Sequence, residues 1–215
     1  MSILKIARLG HPVLHKKAKV VINLPDPKIN KLIEDMIETM DYAGGIGLAA
    51  NQVGVLKRVV TLHLPEEDHR ILVNPEIQGS SGVREVREGC LSFPGYQGLL
   101  TRSVTVEARW IDRNGSYFKI SAEDLLAQAI EHEIDHLNGI LFVDHLVAHQ
   151  HLTRPVTENS LESHNHDLDV TVNVKNNDTY ERLKTRVELN KVYSDSSLSE
   201  LQYDLYDAGY LLDRE

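Results

Sequence analysis

A run of eight residues, Ala129-Ile130-Glu131-His132-Glu133-Ile134-Asp135-His136, constrains this chain more than any other. His132 and His136 are four apart, so on a helix both imidazoles leave one face, one turn from each other. Two ring nitrogens so placed can hold one metal ion. Glu133 lies between them in sequence and can reach a water on that ion, the His-Glu-x-x-His pattern of metal hydrolases. The apolar residues before it, Leu125, Leu126, Ala129 and Ile130, predict a buried helix. Unpaired charge on a buried helix is costly, so a solvated polar face is the weaker reading. A chain with such a helix must build its other elements around it.

Those elements are legible before residue 150. Asp26-Pro27 is a helix start, a capping side chain followed by proline at the first helical position. Ile29, Leu32, Ile33, Met36, Ile37 and Met40 recur at helical spacing until Tyr42-Ala43-Gly44-Gly45 stops them. Strands are expected at Val59–Leu64 and Ile71–Asn74. Val104, Val106, Ala108 and Trp110 alternate with polar residues, and Asn114-Gly115 turns the chain into a partner strand from Tyr117 to Ile120. Ser121 with Asp124 resembles a capping box, which predicts that the metal helix starts at Ala122 and runs to about Asn138, with Gly139 as its stop. Strands precede the helix and do not alternate with helices. The fold class is therefore α+β, with antiparallel β-sheets around a central metal-binding helix.

Composition narrows the function classes. The 215 residues carry one cysteine, so no intrachain disulfide can form and a reducing, cytoplasmic setting fits. The net charge of −9 argues against a general nucleic-acid binder, which needs a basic surface. No apolar run approaches the roughly 20 residues of a membrane helix, and the N-terminus lacks a secretory pattern. Residues 151–215 hold −6 of the net charge and five of the eight tyrosines. Residues 151–169 read as a linker and 170–215 as an acidic extension. In that extension Val170, Val172 and Val174 alternate as in a strand. Asp178 with Glu181 predicts a helix through Leu183 and Val187, and Ser197 with Glu200 a second one ending at Gly209. So much encoded order with so little apolar surface predicts docking on the rest of the chain or on a second subunit.

Two histidines do not complete a catalytic site; a third protein ligand is needed. Six residues after His136 the extended metzincin pattern requires a histidine and finds Phe142. Asp144, His145, His149 and His151 follow, with nothing in their context to single one out. The lone cysteine is a second source. Cys90 lies in Glu88-Gly89-Cys90-Leu91-Ser92, before Phe93-Pro94-Gly95, which predicts a tight irregular segment. It can be a buried hydrophobe, a nucleophile, or a ligand that leaves the fourth position open. In Gly44-Gly45-Ile46-Gly47-Leu48-Ala49-Ala50-Asn51-Gln52 the glycines let a substrate backbone approach closely, and Gln52 offers an amide donor.

Three of these segments together resemble the peptide deformylases: Gly45-Ile46-Gly47-Leu48-Ala49-Ala50-Asn51-Gln52, then Glu88-Gly89-Cys90-Leu91-Ser92, then His132-Glu133-Ile134-Asp135-His136. They occur in the family's order and spacing, over roughly residues 3–147, and the cysteine motif is that of the bacterial-type branch. The resemblance implies a peptide deformylase-like fold and removal of the N-formyl group from the N-terminal formylmethionine of nascent polypeptides, releasing formate. It implies Cys90, His132 and His136 as metal ligands and Glu133 as general acid and base. Gln52 and the Leu91 N–H would donate to the formyl oxygen, and the Ile46 and Gly47 backbone would align the peptide as an added strand. Glu88, Leu125, Gln128 and Ala129 are candidates to line the methionine pocket. The implied metal is one Fe²⁺ per chain, with Zn²⁺, Ni²⁺ or Co²⁺ as substitutes. The implied partners are formylmethionyl peptides and nascent chains, without direct nucleic-acid or membrane binding. One departure touches the site: Glu131 stands where the family usually has Gln, and its carboxylate would either perturb the site's charge or face solvent.

Overall fold

In the computed structural model, residues 2–146, 151–153, 169–175 and 184–189 are described; for the last three stretches this means the backbone. The chain forms two compact units. The first unit comprises Met1–Arg8, Pro12–Arg84 and Thr101–Leu141. The second comprises Leu9–His11, Glu85–Leu100 and the described residues from Phe142 onward.

The first unit opens with helix α1, Pro27–Tyr42. The Asp26 carboxylate accepts from the Lys28 N–H at 2.8 Å, and Pro27 takes the position where a missing donor costs nothing. Ile29, Ile33, Met36 and Met40 form its buried stripe. A five-stranded antiparallel sheet follows in the order β1-β2-β3-β6-β7. Its strands are β1 (Gly47–Ala49), β2 (Val59–Leu62), β3 (Arg70–Ser81), β6 (Thr105–Ile111) and β7 (Tyr117–Glu123). The turn between β6 and β7 is the expected one: Gly115 has φ 87°, and the Asp112 carboxylate accepts from the Asn114 and Ser116 N–H groups at 2.8 Å each. Strand β3 is much longer than Ile71–Asn74, because it pairs with β2 at its start and with β6 along the rest.

Helix α2 spans Asp124–Asn138. It does not start at Ala122, and Ser121 caps nothing. Ser121, Ala122 and Glu123 belong to β7, opposite Glu107, Val106 and Thr105 of β6. Sheet pairing satisfies their backbone and overrides the local capping signal. The far end is as read: Gly139 has φ 79°, and a Cβ there would lie 2.6 Å from the His15 carbonyl oxygen, so only glycine fits. Ala127, Ile130, Ile134 and Leu137 of α2 pack against Val60, Leu62, Leu72, Val106 and Ala108 of the sheet. A buried leucine such as Leu137 costs about 2–5 kcal/mol to truncate to alanine. Among the described residues no helix is long and apolar enough to cross a membrane.

The second unit is built on a sheet of order β10-β9-β8-β5-β4. Its strands are β4 (Arg84–Cys90), β5 (Phe93–Arg102), β8 (His151–Thr153), β9 (Asp169–Lys175) and β10 (Lys184–Leu189). Cys90 thus ends a strand and does not sit in an irregular segment. Phe93 stacks on Tyr96 at 4.7 Å, and Phe142 packs beside Phe93. The alternation Val170, Val172, Val174 is a strand. The helix expected through Val187 is instead β10, where Val187 pairs opposite Val172. Residues 154–168, Leu183 and the second expected helix, Ser197 to Gly209, lie outside the described residues.

Candidate active site

Helix α2 fixes the histidine pair. His132 and His136 are buried, 9% and 1% exposed, and their Nε2 atoms stand 3.2 Å apart. Their rings meet edge to face at 77°. Two bonds of 2.0–2.1 Å to one tetrahedral ion would hold their nitrogens about 3.3 Å apart, so the pair is already at ligand spacing. The donor set is also right: buried imidazoles suit a borderline divalent ion.

Glu133, 3% exposed, turns its carboxylate toward β1. A Cβ built on Gly47 would lie 2.2 Å from its Oε1. The glycine is thus the space in which the carboxylate sits. Gln52 lies in the 3₁₀ turn Ala50–Val53, fully buried. Its Oε1 accepts from the Ala49 N–H at 2.7 Å, which fixes the end of the amide that carries the donor hydrogens. The Ile46 carbonyl accepts from the His63 N–H at 2.9 Å and so faces β2. Hydrogen-bonding groups alternate along a strand, so those of Gly47 face the other way, toward the open edge of β1.

The remaining expected residues take these places. Leu125, Gln128, Ala129 and His132 follow one another at helical spacing on α2, with Leu125 exposed and Ala129 buried. Glu88 is buried in β4. Cys90 is half-buried at the end of β4, and its Sγ accepts from the Ser92 N–H at 3.3 Å. Leu91 lies in the turn from β4 to β5. Asp144 and His145 are in the 3₁₀ turn Phe142–His145. His149 and the side chain of His151 lie outside the described residues.

Glu131 follows neither expectation. Its two carboxylate oxygens accept from the Ser103 N–H at 3.0 Å and the Ser103 Oγ–H at 2.8 Å. Two further residues escape a reading of the sequence. Asn51 donates from Nδ2 to the His136 carbonyl, 85 residues away. Arg102, 5% exposed, pairs with Asp135 at 2.6 Å. Asn51 lies inside a segment whose glycines and glutamine are the more conspicuous residues, and Asp135 lies between the two histidines. Only long-range partners reveal that both hold α2 in place.

Residues 3–151 match the family model described as polypeptide deformylase. A curated peptide deformylase of Dehalococcoides mccartyi (strain CBDB1) is 50% identical over 153 residues, 71% of this chain and 91% of its own. Among solved structures, the peptide deformylase from Legionella pneumophila is 44% identical with a TM-score of 0.65, over 67% of this chain and 86% of that one. The class I type b peptide deformylase from Acinetobacter baumannii with Met-Ala-Ser bound is 33% identical with a TM-score of 0.66, over 68% and 100%.

Proposed function

We propose, from the premise that this chain belongs to the polypeptide deformylase family, that Cys90, His132 and His136 hold its metal and Glu133 moves its protons. The activity is metal-dependent hydrolysis of the N-formyl group of nascent polypeptides, with release of formate. The observation that carries the site assignment is the pair of Nε2 atoms at 3.2 Å, on the same helix as the Glu133 carboxylate that packs against Gly47. With Cys90 as third ligand the set leaves one position open, as a catalytic site requires. A thiolate and two imidazoles suit both iron and zinc, and we take Fe²⁺ as the resident ion, with Zn²⁺, Ni²⁺ or Co²⁺ able to replace it.

A divalent ion so held supplies Lewis acidity and brings the pKa of water toward about 7. Glu133 accepts the proton that water loses and passes it to the departing amine nitrogen. Gln52 Nε2 and the Leu91 N–H donate to the formyl oxygen as charge develops there. The open edge of β1 pairs with the peptide backbone, the mode in which Met-Ala-Ser, the peptide in the Acinetobacter baumannii structure, would lie. Leu125, Gln128, Ala129 and Glu88 receive the methionine side chain. Residues 1–150 carry this chemistry and 170–215 take no part in it. The net charge of −6 beyond residue 150 opposes direct RNA contact. The reading carries a cytoplasmic location with it, since nascent formylated chains are the substrate.

The test compares three variants for metal content and for formate released from formyl-Met-Ala. Cys90→Ser and His132→Ala should lose metal and turnover together. Glu133→Ala should keep its metal and lose about 10²–10⁴-fold in turnover, the range for a general acid–base residue. Full metal occupancy in Cys90→Ser would remove Cys90 from the ligand set.

A further inference from the structure

A second group of metal-ligating side chains lies at the far end of α1, and nothing in the deformylase chemistry uses it. Asp41 is in the last turn of that helix; His63 directly follows β2 and His69 directly precedes β3. Asp41 Oδ1 lies 2.9 Å from His63 Nδ1, and Asp41 Oδ2 lies 2.9 Å from His69 Nε2. The two imidazole rings are tilted against each other at a centroid distance of 4.0 Å. One ligand atom from each residue falls within 4.8 Å of the other two. Three donors, one from the end of α1 and two from the ends of the loop joining β2 to β3, therefore converge.

The chemistry of the donors selects the ligand. Two imidazoles and a carboxylate on one face, with open positions opposite, form the facial triad used for first-row transition metals. Magnesium and calcium prefer all-oxygen shells and are poorly matched. The side chains are 39%, 41% and 32% exposed for Asp41, His63 and His69, so water can complete the coordination shell. Burial raises the pKa of the Asp41 carboxyl, but the hydrogen bonds from His63 and His69 outweigh it and hold the group below the ordinary carboxylate range. The carboxylate is thus favoured in its ionised, ligating form. Each ring can move its N–H to the nitrogen not used here, so an ion can enter between neutral rings without forcing a proton off the pair.

We propose that Asp41, His63 and His69 form a second divalent transition-metal site, for Zn²⁺ or a neighbouring ion such as Ni²⁺, apart from the His132–His136 pair. An ion there joins the end of α1 to both ends of the loop from His63 to His69. It also steadies the segment leading into β1, because the His63 N–H holds the Ile46 carbonyl.

Equilibrium dialysis of the metal-loaded holoenzyme against Zn²⁺ tests the site. Wild type should bind one equivalent more than His63→Gln/His69→Gln at the same free zinc, and Asp41→Asn should lose that same equivalent. His69→Gln alone, a change in an exposed loop, should weaken it at least tenfold while formate release without added zinc stays within twofold of wild type. Zinc should raise the melting temperature of wild type and not that of the double variant. Equal zinc stoichiometry in wild type and the double variant would overturn the proposal, as would full retention of the extra equivalent by Asp41→Asn.

Discussion

Gly47 must be glycine for a reason that lies 86 residues further along the chain. Its missing side chain is the volume that holds the Glu133 carboxylate, since a Cβ would sit 2.2 Å from Oε1. Gly47→Ala should therefore push the carboxylate out of line while leaving His132 and His136 untouched. We expect a fall in formate release of at least about 100-fold, the lower bound for loss of a general base, with metal content and melting temperature close to wild type. Turnover near the wild-type rate would mean that Glu133 can act from another rotamer. The glycines of this segment are readable as places of close approach, but the group that approaches is not. Asn51 makes the same point: its bond to the His136 carbonyl leaves no local trace, whereas Gln52, five residues after Gly47, announces a donor by its chemistry.

Among the elements, the ones legible in sequence are those whose ends are set locally. Helix α1 begins at Pro27 because Asp26 caps it, and α2 ends at Asn138 because Gly139 alone can adopt φ 79° against His15. The start of α2 was set by β6, and local signals at Ser121 and Asp124 pointed elsewhere. Strands β4 and β5 carried no clean alternation before residue 100, since glycines and a proline interrupt them. The turn from β6 to β7 permits a pH test of this view. Burial raises the Asp112 carboxyl's pKa, yet the Ser116 and Asn114 N–H groups outweigh it and hold the group below its ordinary value. A depressed folded-state pKa contributes stability that is present above the unfolded value near 3.9 and is lost as pH falls through the folded one. The melting-temperature gap between wild type and Asp112→Ala should thus be open at neutral pH and close below about pH 4. A gap that does not change with pH would show that the turn is held by shape and not by the charged carboxylate.

For the whole molecule, the informative boundary lies where the family match ends, at residue 151. Strand β8 begins there and pairs Leu152 and Thr153 with Gly98 and Gln97 of β5; β9 and β10 follow outward. Truncation after Gln150 would remove all three and leave β5 with an unpaired edge, which invites association with other chains. Turnover of a short formyl peptide should stay within a few-fold, while the melting temperature falls or the oligomeric state changes. A truncated protein that stays folded and metal-loaded but no longer turns over would give the extension a part in catalysis. Strand β1 bears on the whole molecule in a different way. It is three residues long and stands at one end of its sheet, a ruler of about 10 Å at the usual rise per residue. Backbone groups along such a ruler are blind to the side chains of whatever lies beside them, and they run out after a few positions. Under the pairing proposed above, one short grip would serve every newly made protein of a cell. Its kcat/KM should climb with peptide length to about three residues and then stay flat, and a continued climb would mean that the grip extends past Ala49.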